Sequence, residues 1–174
     1  MINNEYAFTP AIDLDLGRLK EIALRNLSTR VPGLASHQRL VSTDEYLISV
    51  NKKFPFLSNL YNLYETPQSY VTPVHIDSAR TCALNIPVIN TENSHTVFYI
   101  PNKEYVHTTI AKRAYHLVES DVTEIFRFTL TCPTLINTKI PHGVLDSGTD
   151  IRVILSWSIS EQYSYEEIKK MLGV

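Results

Sequence analysis

From Tyr70 onward the chain breaks into short runs rich in Val, Ile, Thr, Tyr and Phe, at 70–76, 81–89, 96–100, 105–110, 114–118, 124–130, 135–138 and 151–158. Clusters of Asn, Pro, Gly, Asp and Ser separate them. Branched and aromatic side chains suit a pleated, half-buried surface, so each run predicts a strand. Strands this short and this closely spaced predict a mainly β fold that closes on itself, a barrel or double-sheet jelly roll (a double-stranded β-helix).

Helices flank this body. Leu14, Leu16, Leu19, Ile22, Ala23 and Leu27 recur near helical spacing, with Asp13 as the expected cap and Val31-Pro32-Gly33 as the stop. Ser42-Thr43-Asp44-Glu45 has the form of a capping box before a second helix. The aromatic-rich stretch 54–64 reads as helical or irregular, its rings serving as packing. A further capping box, Ser164-Tyr165-Glu166-Glu167, opens a helix to Leu172. The 174 residues fit one domain, with 1–69 a helical front, 70–158 the barrel and 159–174 the closing helix.

Charge narrows the partners. Sixteen basic against eighteen acidic side chains leave a formal charge of -2, so nothing favours a nucleic-acid backbone. Lys112 and Arg113 read as solvated surface. No apolar run reaches membrane-spanning length, and MINNEYAFTP lacks the basic start and apolar core of a signal peptide. The expectation is a cytoplasmic protein with no membrane partner. Cys82 and Cys132 then read as reduced, buried thiols, with a disulfide as the alternative. Phosphate loops, nucleophile elbows and CxxC pairs do not occur.

The residues with chemical reach are His75, Asp77, His142 and Arg152. Side chains two apart on a strand share a face, so His75 and Asp77 aim together while Val74 and Ile76 face away. Two imidazoles and a carboxylate can take one triangular face of an octahedral metal and leave the opposite face open, a ligand set suited to non-haem Fe(II) oxygen chemistry. Asp146-Ser147-Gly148-Thr149 lies midway between His142 and Arg152 and reads as a hairpin turn. Such a hairpin sets the two residues opposite or diagonal on adjacent strands. An arginine facing a barrel interior demands an anion, and a carboxylate matches its fork. The alternative is a surface ion pair with Asp146 or Asp150.

Residues 74–80, Val-His-Ile-Asp-Ser-Ala-Arg, followed by 82–88, Cys-Ala-Leu-Asn-Ile-Pro-Val, resemble the 2-oxoglutarate/Fe(II)-dependent oxygenases. The likeness is greatest to the compact phage-type, aspartyl/asparaginyl-hydroxylase-like branch. Residues 137–144 and 151–157 match the distal half of that pattern, so the resemblance spans 70–157. It implies a cupin-like barrel in which His75, Asp77 and His142 are the Fe(II) ligands and Arg152 binds the remote carboxylate of 2-oxoglutarate. It implies dioxygen as co-reactant, succinate and CO2 as co-products, and hydroxylation of a small molecule or an amino-acid side chain. Many members carry Ser or Thr two residues after the arginine, where this chain has Ile154. Tyr99 or Tyr70 is then expected to supply that hydrogen bond.

Asn85 reads either as a cosubstrate contact or as a buried amide tying strand ends. Arg80 reads as a salt bridge at the barrel mouth, or as a contact to a carboxylate ligand. His37, His95, His107 and His116 read as surface or packed side chains. Trp157 and Phe126 read as core, and Tyr61, Tyr64 and Tyr70 as candidates to line a substrate mouth. Substrate choice is expected from the helical front and the loops at 65–69 and 90–94. Two other functions fit the same barrel: a metalloenzyme using no keto acid, and a non-catalytic small-ligand-binding protein.

Overall fold

The computed structural model describes residues 5–27, 36–41, 43–67, 71–78, 80–102, 108–110, 114–117 and 121–174. Two six-stranded sheets lie over one another. The first has the order β1 (Ala7–Phe8), β10 (Thr134–Asn137), β5 (Cys82–Ile89), β12 (Arg152–Ile159), β3 (Leu57–Thr66), β2 (Ser36–Val41). The second has the order β7 (Thr108–Ile110), β8 (Ala114–His116), β4 (Val71–Asp77), β11 (His142–Asp146), β6 (Ser94–Pro101), β9 (Val122–Thr129). Every neighbouring pair is antiparallel. From β3 to β6, and again from β9 to β12, consecutive strands alternate between the sheets, which is the winding of a jelly roll.

Strand alternation divides the first sheet into two functional faces. Val153, Leu155, Trp157 and Ile159 of β12, with Leu84, Ile86 and Val88 of β5, pack outward against the helices. Those helices are α1 (Leu16–Leu27), α2 (Glu45–Lys53) and α3 (Tyr165–Met171), which contribute Leu19, Ile22, Leu47, Val50, Tyr165 and Ile168. The intervening residues therefore face the barrel interior. These include Arg152, Ile154 and Ser156 on β12, and Ala83 and Asn85 on β5. Covering both faces removes any polar-out position, and all of β12 is buried. Trp157 fixes the sheet to the start of β3 by donating its indole N–H to the Ser58 carbonyl at 2.8 Å.

Several elements depart from the sequence reading. The stretch expected to be helical or irregular is β3, a ten-residue strand beside β12, so the barrel begins inside the helical front. Its period is two: Leu57, Tyr61 and Leu63 meet the helices, while Tyr64 and Thr66 line the interior cavity. Asp15, not Asp13, caps α1 by accepting the Arg18 N–H at 2.9 Å. Asp44, rather than the box expected from Ser42, caps α2 by accepting the Tyr46 N–H at 3.0 Å. The Ser164–Glu167 capping box is formed. Tyr70, Lys112, Arg113, Val118, and the 31–33 helix stop lie outside the described residues.

The expected His142–Arg152 hairpin is absent, because β11 and β12 belong to different sheets. The turn between them crosses the barrel instead. Ser147 ties it to the neighbouring β5–β6 crossing, with its N–H and hydroxyl both donating to the Asn93 carbonyl, at 3.1 and 3.0 Å. Both cysteines are free; Cys82 is buried and Cys132 sits 3.3 Å from the Thr9 hydroxyl. Among the described residues no helix is long and apolar enough to cross a membrane.

Candidate metal centre

β4 delivers two of the three candidate ligands. His75 and Asp77 share its inner face, while Val74 and Ile76 pack with Leu117 on the outer one. The third arrives on β11, where His142 is the register partner of His75. A bulge between His142 and Val144 interrupts that pairing, and bulges re-aim side chains. Gly143 makes the close approach possible, since a Cβ there would lie 2.9 Å from the Thr72 carbonyl oxygen.

The ring tautomers are fixed by the backbone. His75 Nδ1 lies 2.8 Å from the Pro73 carbonyl and His142 Nδ1 lies 2.9 Å from the Ile140 carbonyl. A carbonyl only accepts, so each Nδ1 carries the proton and each Nε2 offers a lone pair. Backbone partners of this kind orient metal-binding imidazoles. The rings are 4.4 Å apart between centroids, and His75 Nε2 lies 3.7 Å from Asp77 Oδ1. One ligand atom from each of the three residues falls within 4.8 Å of the others. Donors at right angles around a cation, with bonds of about 2.1 Å, sit about 3 Å apart, so the three atoms would have to draw closer to hold one ion.

The charge states suit a divalent cation. Burial, then the neighbouring His75, pushes the His142 imidazole down to about 4, so it is neutral near pH 7. Burial alone would raise the Asp77 carboxyl. The Arg80 guanidinium, followed by His142 and His75, more than offsets this and holds it below the usual carboxylate range. Arg80 Nε donates to Asp77 Oδ2, leaving Oδ1 on the His75 side. Arg80 is anchored in turn by Ser156, whose hydroxyl accepts from Nη1 at 3.0 Å. Its expected salt bridge therefore forms, and it forms with a candidate ligand. Lys139 Nζ donates to the Asp77 carbonyl at 2.9 Å.

His75, His142, Arg80, Asn85 and Arg152 line one cavity of about 240 Å³ between the sheets. His142 and Arg152 thus line the same cavity from different sheets rather than pairing along a hairpin. Arg152 is 2% exposed, and burial pulls its guanidinium down to about 10, partly offset by Asp146. Neither Arg152 Nε nor Asp146 Oδ2 has a hydrogen-bond partner, Asp146 Oδ1 accepts the Gly148 N–H, and Asp150 takes the Thr149 hydroxyl on the exposed turn. The surface ion pair weighed for Arg152 is not formed. Asn85 is also buried with its Oδ1 unpartnered, so it ties no strand ends together.

Other expectations resolve differently. Tyr99 packs with Val74 and Ile76 outside the second sheet and is not among the cavity-lining residues, while Tyr61 faces the helices. Tyr64 does line the cavity, and its side chain hydrogen-bonds Arg80. His95 Nδ1 lies 3.0 Å from the Thr129 hydroxyl, apart from the site. His37 and His116 lie on β2 and β8, and His107 is outside the described residues. Thr66, also on the cavity wall, escaped the sequence reading because β3 was not read as a strand. No clear signal marked it, because Asn62, Tyr64 and Glu65 break the apolar alternation of β3.

Neither a family model nor a curated protein sequence matches this chain. Its fold does have counterparts among solved structures. AviO1 from Streptomyces viridochromogenes Tue57 superposes with a TM-score of 0.52 at 12% identity, covering 91% of each chain. The fold is a cupin-type jelly roll. HygX from Streptomyces hygroscopicus, solved with nickel and 2-oxoglutarate bound, gives 0.49 at 8% identity over 90% of this chain and 82% of its own. Vicilin from Capsicum annuum gives 0.43 at 9% identity over 89% of this chain. The chain spans only 31% of that vicilin's length.

Proposed function

We propose that this protein is an Fe(II)- and 2-oxoglutarate-dependent oxygenase that hydroxylates a small molecule or an amino-acid side chain. The observation that carries the reading is Arg152, a buried guanidinium with an unpartnered Nε, on the same cavity as His75 and His142 of the His75–Asp77–His142 cluster. A buried cation without a partner is costly, and a carboxylate ligand removes that cost. A keto acid chelating with its other end would fill two of the three open positions of a six-coordinate metal and leave one for dioxygen.

In this reading His75 Nε2, Asp77 Oδ1 and His142 Nε2 hold the metal. Arg80 keeps the second Asp77 oxygen occupied, so Asp77 presents one oxygen rather than two. Arg152 binds the remote carboxylate and thereby turns the oxo-acid end toward the histidines. Asn85 offers a polar contact along the ligand, while Ile136, Val144 and Ile154 exclude water from the cavity. Fe(II) bound there would couple dioxygen and 2-oxoglutarate to C–H hydroxylation, giving succinate and CO2.

The test is product formation. Protein supplied with Fe(II), 2-oxoglutarate and air is expected to release succinate, and to stop when Fe(II), oxygen or Arg152 is removed. Iron-loaded protein that forms no succinate across broad panels of candidate substrates would overturn the proposal.

A further inference from the structure

We propose that Thr66 is the second hand on the remote carboxylate, and that with Arg152 it selects a dicarboxylic 2-oxo acid over a monocarboxylic one. This rests on the keto-acid reading above. Thr66 and Arg152 are direct register partners on β3 and β12, and both line the cavity. Directly opposed residues on antiparallel strands hold their Cβ atoms about 5 Å apart, within reach of the two oxygens of one carboxylate.

Both side chains also want a partner. Thr66 is 7% exposed and its hydroxyl oxygen is fully buried without a hydrogen bond. A buried threonine hydroxyl normally finds an acceptor, commonly a backbone carbonyl. Among the described residues six buried side-chain atoms lack partners, and Thr66 Oγ1, Asn85 Oδ1 and Arg152 Nε are the three on cavity-lining residues. A carboxylate accepts at both oxygens, so one can take the guanidinium N–H while the other takes the Thr66 O–H.

The same placement accounts for Ile154. It follows Arg152 by two residues, shares its inward face, and has no polar atom to offer. Its own register partner is Tyr64, which is committed to Arg80. The hydroxyl missing from β12 is thus supplied from the adjacent strand, at the level of the arginine itself.

Calorimetric titration of the Ni(II)-loaded protein tests this, with 2-oxoglutarate and 2-oxopentanoate as probes. The second carries a methyl group where 2-oxoglutarate has its remote carboxylate. Thr66→Val is expected to weaken 2-oxoglutarate about tenfold, the weight of one hydrogen bond to a charged group, and to leave 2-oxopentanoate within twofold. Thr66→Ser should retain binding, and Thr66→Val with Ile154→Thr should restore it. Wild-type affinity in a folded Thr66→Val protein, or equal weakening of both acids, would overturn the proposal. If Arg152→Met abolishes 2-oxoglutarate binding while Thr66→Val does not, the role of Thr66 alone falls. If the wild-type protein binds neither acid, the keto-acid reading falls with it.

Discussion

Arg80 and Asp77 form a partly buried clamp in which the guanidinium Nε occupies one carboxylate oxygen and leaves the other beside His75 Nε2. The clamp holds the Asp77 carboxyl below its usual range against the opposing effect of burial. Arg80→Met should let the carboxylate swing and become more basic. Ni(II) affinity, read by calorimetry, is expected to fall about 10- to 100-fold, the usual cost of removing a group that orients a ligand. Unchanged affinity would show that Asp77 is positioned without Arg80.

Arg152 sets stability against binding. Its burial depresses its proton affinity to about 10, and Asp146, with which it forms no ion pair, offsets this only in part. Arg152→Met keeps much of the volume and removes the charge. The apo-protein should therefore melt higher, by about 1–2 kcal/mol of added stability, while losing 2-oxoglutarate binding. A lower melting temperature would mean that Asp146 already compensates the guanidinium.

Gly143 sets the distance between β11 and β4. Gly143→Ala brings a Cβ within 2.9 Å of the Thr72 carbonyl, and backbone at that range must move apart. Urea denaturation should show a loss of about 1–3 kcal/mol, and metal affinity should fall because His142 is the adjacent residue. Retention of both stability and metal affinity would contradict the account.

Acid should unfold the metal-free protein early. The His142 imidazole lies near 4 in the folded state against 6.5 normally, so the unfolded chain binds more protons between those values. Stability is fully present above about pH 6.5 and is lost as pH falls toward 4, by about 2–4 kcal/mol. Asp77 acts in the same direction at lower pH, because its depressed carboxyl stabilises the fold until it protonates. Melting curves from pH 7 to 4 should show the wild-type slope, with His142→Gln flatter over that window. Parallel slopes would contradict the assignment.

What the sequence disclosed, and what it hid, follows from periodicity. His75 and Asp77 were legible because a two-residue spacing on a strand has one geometric meaning. β12 was legible through its branched residues. β3 was not, since a central strand carrying Asn62, Tyr64 and Glu65 among its apolar residues presents neither clean alternation nor a helical stripe. The relation of His142 to Arg152 was misread for a different reason. Ten residues around an Asp-Ser-Gly-Thr turn serve a hairpin and a crossing between sheets equally well, and only the pairing of β11 with β4 and β6 decides. Thr66 was invisible because its partner Arg152 is remote in sequence and adjacent only through the sheet.

The central claim is that one cavity holds Fe(II) on His75, Asp77 and His142 and a keto acid on Arg152. Anaerobic apo-protein titrated with Fe(II), then with 2-oxoglutarate, tests it directly through the visible spectrum. The account predicts a charge-transfer band that needs both components and is lost in His75→Ala, in His142→Ala, and at the same 2-oxoglutarate concentration in Arg152→Met. Stoichiometric Fe(II) binding with no band at saturating 2-oxoglutarate would contradict it.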